Sequence, residues 1–397
     1  MKSSKKCLYV TYDGLLDPLG STQVLAYQKY IAIKGWDLTI ISYEKEDKSL
    51  EDIKNLRKEL SKIGIKWINL SFKLGKMKYF SRLLKGIFLI KYLTLRNKYY
   101  LVHARGIQAA SLVSLAFVSV PLIYDIRAFA GEWIDCGRLS KNSFISKYLI
   151  WLENNLIKKA KGLVVLDRSG YDYLYEKYQI NHKRIFVIPT CTDISKYKID
   201  LNNRQICSDR VIKFVFLGGA RYPYRPDLAF LLISQLLDLS FNCYIDFIND
   251  RDQLIIKENI RRLEFPIERV NILKLKPEDV PKKLPEYDSG LVFNSTGFWR
   301  RMSSPTKLGE YLAAGLHVVG IEGIAVLDRL SEENNNVVNK LSEERIKNGL
   351  SKDILYKIIN NIQNPKRCVE AMTLAQNNFS LQKAQISYND LYNKIYE

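Results

Sequence analysis

Short apolar runs and longer stretches of helical spacing alternate along this chain. The runs at Cys7–Thr11, Asp37–Tyr43, Ile65–Leu70, Leu101–Ala104, Leu122–Ile126, Gly162–Leu166 and Ile185–Ile188 read as strands. Between the first two lies Asp13–Gly20, DGLLDPLG, a loop rich in turn formers. Ser21 or Thr22 then caps a helix that ends at Gly35. A charged helix follows over Leu50–Ile63. The uncharged stretch Gly106–Tyr124 divides into a helix to about Val118 and a strand from Leu122. The pattern restarts near residue 210: a strand at Val211–Leu217, the pair Gly218-Gly219, a helix from Pro226 to Leu239, then strands at Cys243–Ile248, Val270–Leu275 and Gly290–Asn294. This βα alternation predicts an α/β protein of two doubly wound, Rossmann-like domains facing across a cleft. We place the first domain at 1–190, a linker at 191–209, the second domain at 210–375 and a terminal amphipathic helix at 376–397.

One later stretch carries unusually clear end signals. In Met302–Gly315, MSSPTKLGEYLAAG, Ser304 suits the N-cap, Pro305 the first helical position and Gly315 the left-handed residue after the last turn. Leu308, Tyr311 and Leu312 share one face, and Thr306, Lys307 and Glu310 the other. The apolar run Leu316–Gly320 follows as a buried strand. A helix N-terminus carries unpaired N–H groups and partial positive charge, so this one suits a phosphate, with Lys307 adding a full charge. The same pattern also fits a solvated surface helix.

Composition narrows the class. The six cysteines are scattered without a CxxC pair and the three histidines lie far apart, which argues against a disulfide framework or a metal site and for a reducing compartment. The apolar run after Lys2, Lys5 and Lys6 is too brief for a secretory leader. The net charge of +19 is uneven: residues 1–195 hold 32 Lys and Arg against 17 Asp and Glu, and the remainder 29 against 25. No acidic residue occurs between Glu59 and Asp125, while basic and aromatic residues interleave through 62–105. Such a segment fits an anionic membrane surface or an ordinary solvated helix. No nucleic-acid motif accompanies the charge, so nucleic acid is not expected as a partner. The expected location is cytoplasmic, peripheral on the membrane face if that segment attaches there.

In open parallel sheets ligands sit beyond the carboxyl ends of the strands. The first domain offers the loop at Gly20; the second offers Gly218-Gly219, Arg221, Arg225 and the helix start at Ser304. Glycines allow close backbone approach and arginines give forked charged donors, a set suited to a diphosphate. There is no GxGxxG and no GxxxxGK[ST], which lowers dinucleotides and ATP as ligands.

The segments LYVTYDGLLDPLGSTQVLAY, LIYDIRAFAGEW, VIPTCTD, FLGGARYPYRPD and SPTKLGEYLAAG, in this order, resemble those of bacterial family 4 glycosyltransferases of GT-B fold. The closing FSLQKAQISYNDLYNKIY is similar to the family's terminal helix, which crosses back onto the first domain. The resemblance implies a sugar-nucleotide donor in the second domain, a glycan or lipid-linked acceptor in the first, retention at the anomeric carbon, no cofactor and no required metal. It implies a hexosyltransferase role in cell-surface polysaccharide synthesis. It assigns Glu310 to the donor ribose and the amides of Thr306 and Lys307 to the diphosphate and sugar. Arg221 and Arg225 lie at the family's basic diphosphate contacts, Gly20 at its donor-phosphate loop, Arg127 near the transferred sugar and Lys276 near the base. The implied donor set is Gly20, Gly219, Lys276, Ser304, Thr306, Leu308 and Glu310; Asp125, Glu132, Asp135 and His103 are the acceptor candidates. Each of these carboxylates also reads as structural, and His103 as a packed strand-end residue. The chain departs from the family where the first motif glutamate, eight positions before the second, is Met302. Pro305 replaces a glycine, His317 a proline, and Ala325-Val326 a common Gly-Asp.

The expected chemistry is leaving-group stabilisation. Arg221, Arg225, Lys307 and the helix N-terminus meet charge as it grows on the diphosphate, and Arg127 completes the catalytic set near the transferred sugar. The acceptor hydroxyl attacks from the leaving-group face, and no carboxylate pair is needed. A sugar-nucleotide epimerase of the same fold, and an inactive scaffold or binding protein, remain alternatives.

Overall fold

The computed structural model describes residues 5–72, 76–199, 211–249 and 251–396, the side chains of 76–80 excepted. Part of the expected linker, 200–209, lies outside the described residues, as do Cys207, Lys73 and the side chains of Lys76, Lys78, Tyr79 and Phe80. The chain forms two compact units, one of Met1–Pro189 with Leu381–Glu397 and one of Thr190–Ser380.

The first unit is built on a seven-stranded parallel sheet. Its strands are β1 (Lys5–Thr11), β2 (Trp36–Lys45), β3 (Ile65–Phe72), β4 (Leu101–Arg105), β5 (Leu122–Asp125), β6 (Gly162–Val165) and β7 (Ile185–Val187), in the order β3-β2-β1-β4-β5-β6-β7. The inner strands β1 and β4 are buried almost throughout, as a parallel sheet covered on both faces requires. The order reverses between β1 and β4, where Thr11 stands level with Arg105 and Arg105 with Asp125. The helices of this unit are α1 (Ala26–Ile33), α2 (Leu50–Lys62), α3 (Lys76–Arg96), α4 (Gly106–Leu115), α5 (Phe144–Lys159) and α6 (Arg168–Tyr178). Helix α4 packs on β1, β4 and β5, with α3 and α5 beside it. The terminal helix Leu381–Tyr396 packs against α1.

Two local expectations are corrected here. Helical structure begins at Pro18 rather than after Ser21, because Asp17 is extended and Pro18 takes the first helical position. The Ser21 and Thr22 hydroxyls cap nothing and donate back to the Pro18 carbonyl. A widened turn over Ser21–Leu25 then leads into α1. Helix α4 stops at Leu115, short of Val118, and Phe117 beyond it is left-handed, with φ 49°. Among the described residues no helix is long and apolar enough to cross a membrane.

The second unit holds a six-stranded parallel sheet. Strands β8 (Ile212–Leu217), β9 (Cys243–Ile248), β10 (Val270–Leu273), β11 (Ser289–Val292), β12 (His317–Ile321) and β13 (Val338–Leu341) lie in the order β10-β9-β8-β11-β12-β13. The flanking helices are α7 (Pro226–Asp238), α8 (Gln253–Arg262), α9 (Thr306–Ala313), α10 (Ala325–Glu333), α11 (Lys352–Ile362) and α12 (Arg367–Asn378). Alternate residues of β8 serve opposite faces. Phe214 and Phe216 join Phe230 and Phe247 in one core, while Val215 joins Leu308, Tyr311 and Phe379 in the other. Residues 190–199 belong to this unit: Tyr197 lies in its core, and Thr192 bridges to Ser380 and donates to the Phe379 carbonyl at 2.9 Å. His317 is a buried crosslink between strands, with Nδ1 3.1 Å from Ser289 Oγ and Nε2 2.9 Å from Asn339 Oδ1. Burial pushes it down to about 3, so it stays neutral.

Candidate functional site

The second unit gathers an unusual set of polar groups where β8 ends against the start of α9. Gly218 sits at φ +108°, a conformation that side chains resist, and turns the chain out of the sheet. A Cβ on Gly219 would lie 2.9 Å from the ring of Tyr224, so only glycine lets that ring close over the loop. The Tyr311 hydroxyl of α9 accepts the Leu217 N–H at 2.7 Å and fixes the helix against the strand end. Gly290 makes this possible, since a Cβ there would lie 2.3 Å from the Tyr311 ring.

Lys307 is held in this frame. The residue is 6% exposed, and its Nζ lies 4.1 Å from the Tyr224 ring centroid and 4.7 Å from that of Phe216. Among the described residues the ammonium has no hydrogen-bond acceptor. Burial pulls it down to about 7, opposed by the charge of Glu310, and the buried Arg300 pushes in the same direction as burial. Glu310 is pushed up to about 7 by burial, with Lys307 opposing. This corrects the solvated-helix alternative for Lys307, which is buried, while Thr306 and Glu310 on the same side are half-buried.

Three more buried oxygens nearby in sequence have no hydrogen-bond partner among the described residues: Ser304 Oγ before α9, and Asn294 Oδ1 and Ser295 Oγ after β11. Asn294 bridges to Tyr224, and the Ser295 N–H donates to the Pro223 carbonyl at 2.7 Å. Ser304 is not the N-cap expected of it. Pro305 takes that position with extended ψ, and no side chain caps the helix. Gly315 is left-handed, φ 70°, as expected. Leu308 is buried in the core and reaches a ligand only through its backbone; Thr306 is half-buried at the first turn.

The two arginines of the glycine loop are otherwise engaged. Arg225 lies between Asp227, with Nη2 to Oδ2 at 2.6 Å, and Glu343, with Nη1 to Oε1 at 2.5 Å. It precedes α7, whose first turn favours the Asp227 carboxylate, so the guanidinium folds onto that carboxylate. Arg221 is largely exposed and pairs with Asp252 at 2.8 Å, which also accepts the Ala220 N–H at 3.1 Å. Neither guanidinium bonds to Lys307 or Glu310. Lys276 is exposed after β10. Arg300 and Tyr224 were missed by sequence reasoning; the Arg-Arg pair just before Met302 was the available signal.

In the first unit, the reversal point of the sheet carries a separate ion-pair network. Arg105 donates to Asp13 at 2.9 Å and to Asp125 at 3.3 Å. Asp125 also lies 3.5 Å from Arg127 and accepts from Tyr388 of the terminal helix at 3.0 Å. Despite full burial, Arg127, His103 and Arg105 hold Asp125 far below the usual carboxylate range. His103 is also fully buried, with Nδ1 2.8 Å from Tyr392 Oη, and burial lowers its pKa. Both residues are 0% exposed, which corrects their assignment to an acceptor: one atom of each, Asp125 Oδ2 and His103 Nδ1, is bonded to a tyrosine of the terminal helix. Arg127 and Asp13, both half-buried, are the members of this network that reach the surface. Glu132 is half-buried and Asp135 exposed in the short helix Glu132–Asp135.

Gly20 has a steric role, since a Cβ there would lie 1.8 Å from the Gly14 carbonyl oxygen. The loop before it is gathered by buried Glu44, which accepts the N–H groups of Leu15 at 2.6 Å and Leu16 at 3.2 Å. Among the described residues no three His, Cys, Asp or Glu side chains cluster in a way that would hold a metal ion.

Residues 20–196 match the sequence profile of Glycosyltransferase Family 4. No curated protein matches the chain by sequence. By structure the chain is similar to a glycosyltransferase from Rickettsia africae, at 16% identity and TM-score 0.66, covering 99% of this chain and 98% of that one. It is also similar to a sucrose-phosphate synthase from Thermosynechococcus elongatus, at 11% identity and TM-score 0.73, covering 99% of each. Anabaena HepE, in complex with UDP and glucose, superposes at 16% identity and TM-score 0.66, covering 97% of this chain and 98% of that one. The two parallel sheets and their helices are those of the GT-B glycosyltransferase fold.

Proposed function

We propose that this chain is a retaining glycosyltransferase of the hexosyltransferase type that moves a sugar from a nucleotide-diphosphate donor to a glycan or lipid-linked acceptor. The observation that carries this reading is the buried, acceptor-less ammonium of Lys307 beside Glu310 and the Gly218 turn. An unpaired buried cation is costly, and an arriving anion removes that cost. The match of residues 20–196 to Glycosyltransferase Family 4 and the fold likeness to HepE, whose structure holds UDP and glucose, support the choice of ligand.

Breaking a glycosyl–phosphate bond leaves charge on the diphosphate. Lys307, Arg300 and the free N–H groups at the start of α9 are the donors to meet it, pre-set and shielded from water. Glu310 takes the ribose hydroxyls. Arg221 is the one glycine-loop arginine with an exposed guanidinium, and it reaches a phosphate by exchanging Asp252 for it. Arg225, neutralised twice, acts by ordering the start of α7. Arg127 is the first unit's contact to the transferred sugar, and Gly20, Lys276 and Glu132 complete the donor and acceptor contacts. No metal or cofactor enters the scheme. The broader role is cell-surface polysaccharide synthesis at the cytoplasmic membrane face, with residues 62–105 toward anionic lipid.

The test is thermal shift with UDP-, GDP- and dTDP-sugars, followed by product analysis with and without acceptor. A raised melting temperature that Lys307→Met abolishes supports the reading. An epimerised sugar nucleotide formed without acceptor replaces it with the epimerase, and no shift with any sugar nucleotide replaces it with a scaffold.

A further inference from the structure

We propose that the layer formed by α3, α4 and α5 of the first unit is a docking surface for an anionic phospholipid bilayer. The proposal rests on the membrane-face placement given above and extends it past residues 62–105 to α5, and vesicle binding tests it without any donor or acceptor, apart from glycosyl transfer. Helix α3 buries Ile90 and Leu93 and turns outward Leu84 at 53% exposure, Phe88 at 69% and Leu95 at 74%, with Tyr92 between them. These four follow helical spacing on one face. Helix α5 does the same: Leu152, Leu156 and Ile157 face inward, while Phe144, Ile145, Tyr148 and Trp151 face out. The rings of Tyr148 and Trp151 stack at 5.9 Å. Between the two helices, beyond the end of α4, Phe117 is 79% exposed, and its carbonyl accepts from Lys91 of α3 at 3.2 Å.

Charge selects the occupant. Residues 76–124 contain no Asp or Glu, and α5 contains one, Glu153, which is buried against Tyr124 and the Ala130 N–H. Exposed Lys85, Arg96, Lys98, Lys147, Lys158 and Lys159 flank the apolar stripes, and among the described residues none pairs with a carboxylate. A second copy laid on this face would set cations against cations. A nucleic acid would satisfy the charges but leave Leu84, Leu95 and Ile145 against phosphate. A bilayer of anionic lipid satisfies both, with the apolar and aromatic side chains entering the interfacial zone and the lysines at the phosphates. The layer also holds a cavity of about 480 Å³ between the ends of α4 and α5, with Phe117, Val118, Pro121 and Leu156 as walls and Lys159 and Lys161 beside them. That combination suits an acyl segment beneath a phosphate.

The test is flotation of the full chain with phosphatidylcholine vesicles and with vesicles enriched in phosphatidylglycerol, at low and high salt. The expected result is binding to the anionic vesicles only, lost at high salt. The pair Lys158→Ala and Lys159→Ala weakens it by about tenfold or more, at about 1 kcal/mol per basic group. Phe88→Ser with Leu95→Ser weakens it comparably, with circular dichroism unchanged. Brominated acyl chains quench the fluorescence that is lost in Trp151→Phe. Equal binding to both vesicle types, no binding, or binding untouched by the stripe substitutions overturns the proposal. So does a change from dimer to monomer in Phe88→Ser with Leu95→Ser, or RNA that displaces the vesicles from wild type and stripe variants alike.

Discussion

Lys307 places an ammonium against two aromatic rings with no oxygen among the described residues to accept from it. The rings recover part of the lost hydration and Glu310 part of the rest, but the charge is still held down to about 7. A bound diphosphate reverses that balance. Donor affinity is therefore expected to fall as pH rises through the region above 7, by up to about tenfold per unit, because binding then requires proton uptake by Lys307. Calorimetric titration of the donor at several pH values checks this. Lys307→Met is expected to leave the fold intact and to reduce transfer by about a hundredfold or more, read from product formation. Glu153 makes a second residue-scale prediction. Burial raises its carboxyl to about 7, opposed by hydrogen bonds from Ala130 and Tyr124. A raised carboxylate stabilises fully below its unfolded value of 4.5, and that stabilisation is lost as pH rises to about 7. Glu153→Gln removes this dependence, so the variant is expected to gain about 1–3 kcal/mol on wild type at pH 8 relative to pH 5 in urea unfolding.

At the scale of elements, most strands were legible because both sheets are buried on two faces, which leaves dense apolar runs such as Cys243–Ile248. Ends were less legible where tertiary contacts decide them. Ser21 and Thr22 look like caps, but the helical turn begins at Pro18 after an extended Asp17, with Gly14 packed close against Gly20. Ser304 looks like a cap too, yet the chain enters α9 at Pro305 with that hydroxyl left over. Lys307 and Glu310 could be picked out by position, but the setting of the Lys307 ammonium depends on Tyr224, whose ring lies against it from a loop distant in sequence. Arg225 shows the reverse: its basicity was legible, while Glu343, which shares that charge with Asp227 from a distant segment, was not. Gly20→Ala is expected to cost about 2–3 kcal/mol or more in urea unfolding, since the new methyl must move backbone, not a flexible side chain.

At the scale of the molecule, the second unit is one continuous segment, Thr190–Ser380, and the first is not. Residues 190–380 expressed alone are expected to fold and to keep their melting response to sugar nucleotide, checked by circular dichroism and thermal shift. A chain ending at 380 is expected to keep the second unit folded and to lose the first to limited proteolysis. It lacks Tyr388 and Tyr392, which bond to Asp125 Oδ2 and His103 Nδ1 inside the first sheet. Buried polar groups left without partners cost far more than their bonds contribute.

The pairing of Thr192 with Ser380 brings the outgoing and returning strands of the chain side by side. On the ribosome, seven strands must therefore wait, incomplete, while an entire Rossmann-like body is synthesised and folds between them and the helix that finishes them. A messenger truncated near its end yields a polypeptide with a sound rear half and an open, strongly basic front half, the kind of product that chaperones and proteases intercept.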